Sequence, residues 1–138
     1  MKRLGVILTF VAMLMLGSCL QNNGHIGHWF GQWKVERITI DGTDDPDYNG
    51  NYFFCFQSGV FGVRTSSGSM TYARWKEDEQ TGLINISFEE AYGAGKACKK
   101  IYLDNDVTFR LVSHEGKKKV LEQVKDDGKT YTYYLTKW

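Results

Sequence analysis

The chain has 138 residues, with 17 lysines and arginines against 16 aspartates and glutamates, a single proline and 14% aromatic residues. This length is enough for one domain with one hydrophobic core. The near balance of charges leaves no strongly basic surface, which argues against nucleic-acid binding.

The first eighteen residues have the composition of an export signal. Lys2 and Arg3 precede the apolar run Leu4–Leu16, and the small residues Gly17 and Ser18 follow it. The run has about 13 residues, whereas about 20 are needed to cross a bilayer core. The pattern therefore predicts a secretory signal peptide over residues 1–18. Its removal takes two basic residues away and leaves the mature chain with a net charge of about −1.

Cys19 comes directly after the two small residues. The sequence Leu16-Gly17-Ser18-Cys19 resembles the lipobox of bacterial lipoproteins. The resemblance implies cleavage before Cys19, lipidation of its thiol and a lipid anchor in the membrane. Because no Asp follows Cys19, it also implies an outer-membrane location facing the periplasm. The alternative is an ordinary signal peptide with an incidental cysteine.

Residues 19–28 are predicted to be a tether between the lipid and a domain over residues 29–138. The tether contains His25 and His28 at a His-X-X-His spacing. That spacing can bind a metal on a helix, but no carboxylate or thiolate ligand lies nearby in this Gly-flanked segment. We therefore interpret both histidines as tether residues and predict no metal site.

From residue 31 onward, short aromatic and β-branched runs alternate with clusters of Gly, Asp and Asn, which is the pattern of strands and turns. The first run needs a bulge between Val35 and Ile38, because its apolar residues change face there. About eight short strands with short connections predict an all-β, up-and-down antiparallel β-barrel, with another small β-sandwich as the alternative. The predicted strands cover residues 31–40, 52–57, 60–64, 70–76, 83–88, 97–103, 107–111, 119–125 and 131–137.

Gly31 and Trp33 open the first strand, and Lys137 is the last basic residue of the final one. This arrangement resembles the lipocalin and related calycin families. The resemblance implies that Trp33 lies across the closed end of the barrel and that Lys137 packs over its indole. The family usually has Arg at that position, and Lys lacks the planar stacking of a guanidinium. The chain thus resembles a small bacterial lipocalin-like lipoprotein.

A barrel of this size either fills its interior with side chains or holds one small ligand. Phe109, Tyr131 and Tyr133 point inward by parity and are the candidate ligand-lining residues. The predicted function is an envelope binding protein for a small apolar or amphipathic molecule, which requires a cavity. The alternative is an envelope interaction protein or periplasmic enzyme inhibitor that contacts a protein partner through loops 41–50 and 89–96.

Two cysteines remain beside Cys19. We predict a disulfide between Cys55 and Cys98, because exported proteins permit one, with two buried free thiols as the alternative.

No nucleophile–base pair is apparent, so neither an enzyme nor a cofactor is predicted. His114 is interpreted as solvated in a turn, unless the fold brings it to a carboxylate in a pocket. The run Lys117–Lys119 is interpreted as a solvated hairpin tip rather than a contact with anionic lipid or polymer.

Overall fold

The computed structural model describes residues 27–88 and 95–138. The predicted signal peptide, Cys19 and most of the predicted tether lie outside the described residues. A 3₁₀ turn over Gly27–Trp29 precedes the first strand, and one short helix, α1, covers Gly95–Lys99. The strands are β1 Gly31–Ile40, β2 Thr43–Asp44, β3 Tyr52–Gln57, β4 Val60–Thr65, β5 Met70–Asp78, β6 Leu83–Phe88, β7 Asp106–Glu115, β8 Lys118–Val124 and β9 Thr130–Lys137.

These strands form a closed antiparallel barrel. From β3 onward each strand pairs with the next, β1 pairs with β3, and β9 returns to pair with β1. The short strand β2 is an addition to the end of β1. The closing pair leaves no long unpaired edge. The predicted all-β up-and-down barrel of about eight strands is therefore confirmed.

The local sequence explains the strands and their register. In β6, buried Ile84, Ile86 and Phe88 alternate with exposed residues, so one face of the strand lines the core. The register between β1 and β9 shifts between Val35 and Arg37, which is the bulge that the change of parity predicts. The interior that these strands enclose is rich in aromatic rings, and several pairs lie edge to face, for example Phe54 and Phe61 at a centroid distance of 5.2 Å.

The predicted strand over residues 97–103 is wrong. Cys98 lies in α1, and the amides of Ile101 and Leu103 both donate to its carbonyl. Cys98, Ile101 and Leu103 are all buried in the core. Cys98 and Ile101 are three positions apart, as on one face of a helix, whereas Ile101 and Leu103 are two apart, as on one face of a strand. The apolar pattern of this short segment therefore did not distinguish a helix from a strand.

The predicted disulfide between Cys55 and Cys98 is also wrong. Both cysteines are free thiols, and both are buried. Cys98 belongs to the interior core cluster, whereas Cys55 lies on β3 between two residues of that cluster, Phe54 and Phe56. Successive residues of a strand point to opposite faces, so Cys55 faces the outside of the barrel wall and cannot meet Cys98.

The two ends of the barrel differ. The closed end contains the start of β1, the end of β9 and the hairpins β3–β4, β5–β6 and β7–β8. The opposite end, called the mouth here, contains the longer connections after β1 and β6, together with the β8–β9 turn. In the described part of the chain, no helix is long and apolar enough to cross a membrane.

Candidate functional site

At the closed end, Lys137 lies opposite Trp33 in the pairing of β9 with β1. Its Nζ atom lies 4.9 Å from the centre of the Trp33 ring and donates a hydrogen bond to the carbonyl of Phe30. A Cβ atom on Gly31 would lie 2.5 Å from this Nζ, and Gly31 has a φ of +112°. The glycine of the Gly-X-Trp motif is therefore required both by its backbone conformation and by the lysine that occupies the space beside it.

A second lysine, Lys119, lies fully inside the closed end, so the interpretation of Lys117–Lys119 as a solvated hairpin tip is wrong for Lys119. Its side chain is 1% exposed. Its Nζ atom lies 4.5 Å from the ring centre of Trp29 and 4.8 Å from that of Trp33. The signal that could have indicated its burial is alternation along β8. Lys119, Leu121 and Gln123 occupy every second position of this strand, and all three are buried. Burial, together with repulsion from Lys137, lowers the pKa of Lys119 to about 8.

Two histidines cover the Lys119 ammonium. The rings of His28 and His114 stack at 4.2 Å, and Nδ1 of His114 lies 2.9 Å from Lys119 Nζ. Nδ1 of His28 also contacts this Nζ. An ammonium only donates, so the Nδ1 atom of each histidine that faces Lys119 serves as an acceptor. Burial and the adjacent Lys119 charge lower the pKa of His28 to about 4.

The structure thus changes the interpretation of both histidines. His28, predicted to be in the tether, belongs to the 3₁₀ turn that packs on the closed end. His114, predicted in a turn, lies in β7, and its contacts within the described residues are with Lys119 and His28 rather than with a carboxylate. The described residues contain no cluster of three or more potential metal ligands. The arrangement ties the N-terminal turn to the barrel.

At the mouth, the segment 98–103, called the cover here, lies over the barrel interior. Gln123 donates from Nε2 to the carbonyl of Tyr102 at 2.8 Å, and Tyr133 donates from its hydroxyl to the carbonyl of Ile101 at 2.6 Å. The same Gln123 amide donates to the Tyr133 hydroxyl at 2.8 Å. Tyr102 donates to a carboxylate oxygen of Asp45 at 2.8 Å. Wall side chains therefore hold the cover mainly by its backbone carbonyls.

The predicted ligand-lining residues divide into two groups. Phe109 and Tyr133 are fully buried and meet in the core at a ring distance of 5.2 Å. Tyr131 lies nearer the mouth, where its ring is 4.7 Å from that of Tyr102 and its hydroxyl donates to Asp127. Burial raises the pKa of Tyr131 to about 12 and that of Tyr133 further, so both phenols are neutral donors at neutral pH.

Side chains occupy the interior of the barrel between these residues. Cys98, Ile101 and Leu103 of the cover are part of that filling. Two grooves of about 290 and 310 Å³ lie on the outer wall, one beside Tyr72 and Arg74 and the other across β5, β6 and β7.

Of the two predicted interaction loops, the one over residues 41–50 lies wholly within the described residues. It is held by the Tyr48 hydroxyl, which donates to the carbonyl of Val35, and by Asp45, which accepts from Tyr102 and from the amide of Asp47. Most of the other loop, residues 89–96, lies outside the described residues.

Comparisons with known proteins agree with this architecture. No protein-family model and no curated protein matches the chain. The fold is similar to that of a lipocalin-like protein from Bacteroides uniformis, with a TM-score of 0.63 and 17% identity over 81% of this chain and 100% of that one. It is also similar to an uncharacterized protein from Bacteroides eggerthii, with a TM-score of 0.55 and 19% identity over 80% of this chain and 99% of that one. The chain has a lipocalin-like fold.

Proposed function

We propose that this protein is a lipid-anchored binding protein of the cell envelope, without enzymatic activity, which holds one small amphipathic molecule at the mouth of its barrel. The observation that carries the proposal is the polar pair Gln123 and Tyr133. Both side chains are buried among aromatic rings, and both donate to backbone carbonyls of the cover. Donors fixed inside an apolar space are the usual means of orienting a ligand in such a site.

The cover is the part of the mouth that a ligand would displace. Ile101 and Leu103 fill apolar space, and the cover takes no part in the strand pairing of the described residues. A molecule with an apolar body would replace these side chains. One carbonyl or carboxylate oxygen on it would accept from Gln123 and Tyr133 in place of the Ile101 and Tyr102 carbonyls.

The proposals of a lipid anchor and an envelope location depend on the predicted signal peptide, residues 1–18, and on Cys19. The order of positive residues, apolar run, small residues and Cys19 supports lipidation and, in a bacterium with two membranes, an outer-membrane site facing the periplasm. Intact mass spectrometry of protein purified from membranes tests this. We expect a chain that begins at a lipidated Cys19 and a Cys19→Ala variant that leaves the membrane fraction. An unmodified wild-type chain in the soluble fraction would refute the anchor.

Ligand binding is tested with the full chain and cis-parinaric acid, a fluorescent molecule with an apolar body and one carboxylate. We expect saturable binding of one molecule, and Ile101→Trp should weaken it about tenfold by filling the mouth. Val112→Trp is the matched control, because Val112 is 47% exposed on the outer wall. Gln123→Leu, which keeps the bulk and removes the donor, should also weaken binding. Equal affinities of all three variants and the wild type would refute the site.

A second candidate function is an interaction protein that binds an envelope protein through the loop over residues 41–50. The observation in its favour is that Tyr48 and Asp45 hold this exposed loop in one conformation. A rigid projecting loop loses less conformational entropy on association than a flexible one. Cross-linking in the intact envelope tests it, with Asp47→Ala as the loop variant. No partner that depends on this loop would exclude the candidate.

A further inference from the structure

We infer that the closed end of the barrel docks on a membrane surface that carries anionic lipid headgroups, so that the mouth points away from the bilayer. The inference rests on the proposed anchor at Cys19. The docking face consists of the exposed residues Phe30, Lys117, Lys118 and Trp138, together with the half-buried Lys137.

Contacts between β9, β1 and the β7–β8 turn make this face continuous. The Lys137 amide donates to the carbonyl of Lys117 at 2.7 Å, and the Lys137 side chain donates to the carbonyl of Phe30. The Trp138 amide donates to the carbonyl of Gln32 at 2.9 Å. Three lysines and two aromatic residues therefore lie on the same side of the closed end.

The two aromatic side chains on this face are unusually exposed. Phe30 is 54% and Trp138 is 70% exposed. Lys34 lies 5.7 Å from the Trp138 ring on the adjacent wall, which adds a further cation. Aromatic rings next to lysines are typical of surfaces that rest at the headgroup level of a bilayer.

Charge along the barrel favours one orientation. The eight carboxylates of the mouth and its connections outnumber the cations there, which are Arg37, Lys99, Lys100, Lys125 and Lys129. Arg37 and Lys125 pair with two of the carboxylates. Of the closed-end carboxylates, Glu77, Asp78 and Glu79 lie on the β5–β6 hairpin, on the other side of the barrel from β9 and β1. Glu115 lies opposite Lys118 in the β7–β8 hairpin, where Lys117, Lys118 and Lys137 outnumber it. An anionic surface would therefore repel the mouth and attract the docking face. The mouth carboxylates are Asp41, Asp44, Asp45, Asp47, Asp104, Asp106, Asp126 and Asp127.

The position of the anchor agrees with this orientation. Gly27 begins the turn that packs on the closed end, and Cys19 lies eight positions before it along the chain. Eight residues span at most about 29 Å even when fully extended. Because the tether joins the domain at the closed end, a lipid on Cys19 favours an orientation with that end, rather than the mouth, next to the bilayer.

The test uses the full chain, purified from membranes and reconstituted into vesicles that contain a brominated phospholipid. The other tryptophans, Trp29, Trp33 and Trp75, are buried, so quenching by bromine reports mainly on Trp138. With phosphatidylglycerol in the vesicles we expect clear quenching, which Trp138→Phe removes. Lys117→Glu combined with Lys118→Glu should reduce the quenching by about half or more.

The matched control makes the same charge change at the other end. Lys99 and Lys100 are exposed beside the mouth, and their double substitution by Glu should leave the quenching unchanged. Protein that floats with the vesicles but shows no quenching would overturn the docking face and leave the anchor intact. Protein that does not float would overturn the anchor itself, and the inference with it. Equal quenching in phosphatidylcholine alone would refute the role of anionic headgroups.

Discussion

The Nζ atom of Lys119 lies 4.8 Å from the centre of the Trp33 ring, and Lys137 lies at 4.9 Å from the same ring. The Trp33 indole therefore contacts two lysines, whereas the lipocalin resemblance implies a single basic residue over this ring. The repulsion between the two ammonium groups lowers the pKa of Lys119 in addition to its burial. Trp29, Trp33, the two imidazoles and the negative charge of Glu77 compensate the charge of the buried lysine.

We expect Lys119→Ala to lower the free energy of unfolding by about 2–4 kcal/mol, because it leaves a cavity and removes the cation–π contacts. Lys119→Met keeps the bulk of the stem and removes the buried charge, so its effect should stay within about 1.5 kcal/mol. Lys137→Ala, at a half-buried position, is the comparison and should cost about 1 kcal/mol. Urea unfolding measures all three. Equal losses for the two alanine variants would contradict the central role of Lys119.

Acid should weaken the closed end through His28. In the folded chain the pKa of His28 is lowered from 6.5 to about 4, so the unfolded chain binds more protons between these values. The stability that the neutral ring contributes is present above pH 6.5 and is lost as the pH falls towards 4. Protonation would also place a charge beside Lys119 and His114. The melting temperature followed across this window should fall, and His28→Asn should flatten the fall.

The control for the acid effect is His25→Asn, a histidine outside the described residues. This variant should keep the wild-type dependence of the melting temperature on pH. If His28→Asn and the wild type lost the same stability between pH 6.5 and 4, the acid sensitivity would have another source.

Gly31 should tolerate no side chain. Gly31→Ala adds a Cβ 2.5 Å from Lys137 Nζ at a φ of +112°, so we expect a loss of about 2–3 kcal/mol in urea unfolding. Combining it with Lys137→Ala removes the clash but keeps the backbone strain, so the two effects should not add. Gly59→Ala, with a φ of +70° and no atom within 4 Å, is the control for strain alone. An equal loss at both glycines would show that the lysine does not matter.

Much of this fold could be predicted from local patterns. Alternation in β6, the turn signal between β3 and β4, and the change of parity after Val35 each depend on residues close in sequence. Such signals depend on the two-residue period of a strand, which the sequence displays directly. The barrel and the first-strand bulge were confirmed for this reason.

The closed-end cluster could not be predicted in the same way. Alternation along β8 puts Lys119 on the inward face, but a lysine in a strand is ordinarily assigned to solvent. The side chains that surround its ammonium, Trp29, His28 and His114, come from other elements. Likewise, the face of Cys55 can be read only once the strand register is known. These features depend on contacts between distant parts of the chain, which neither spacing nor composition contains.

Removal of the Tyr133 hydroxyl should destabilise the fold and loosen the cover at the mouth. Tyr133→Phe leaves the Ile101 carbonyl without its donor and the Gln123 amide with one acceptor fewer, so we expect a loss of about 1–3 kcal/mol. Hydrogen exchange of the amides in the cover should accelerate, because the wall then holds the cover less tightly. Tyr72→Phe is the control, since Tyr72 is 63% exposed. Unchanged exchange in the cover would contradict its attachment through Tyr133.

The thiols of Cys55 and Cys98 should be reduced yet unreactive in the folded protein. Burial raises the pKa of both thiols, that of Cys98 to about 11, so little of the nucleophilic thiolate exists at neutral pH. Iodoacetamide should leave both unmodified in native protein and alkylate both in urea without any reductant, as intact mass would show. A parallel sample treated with dithiothreitol should give the same mass. If alkylation in urea needed dithiothreitol, the two thiols would be disulfide-bonded, and Cys55 and Cys98 could not lie on opposite faces of the barrel wall.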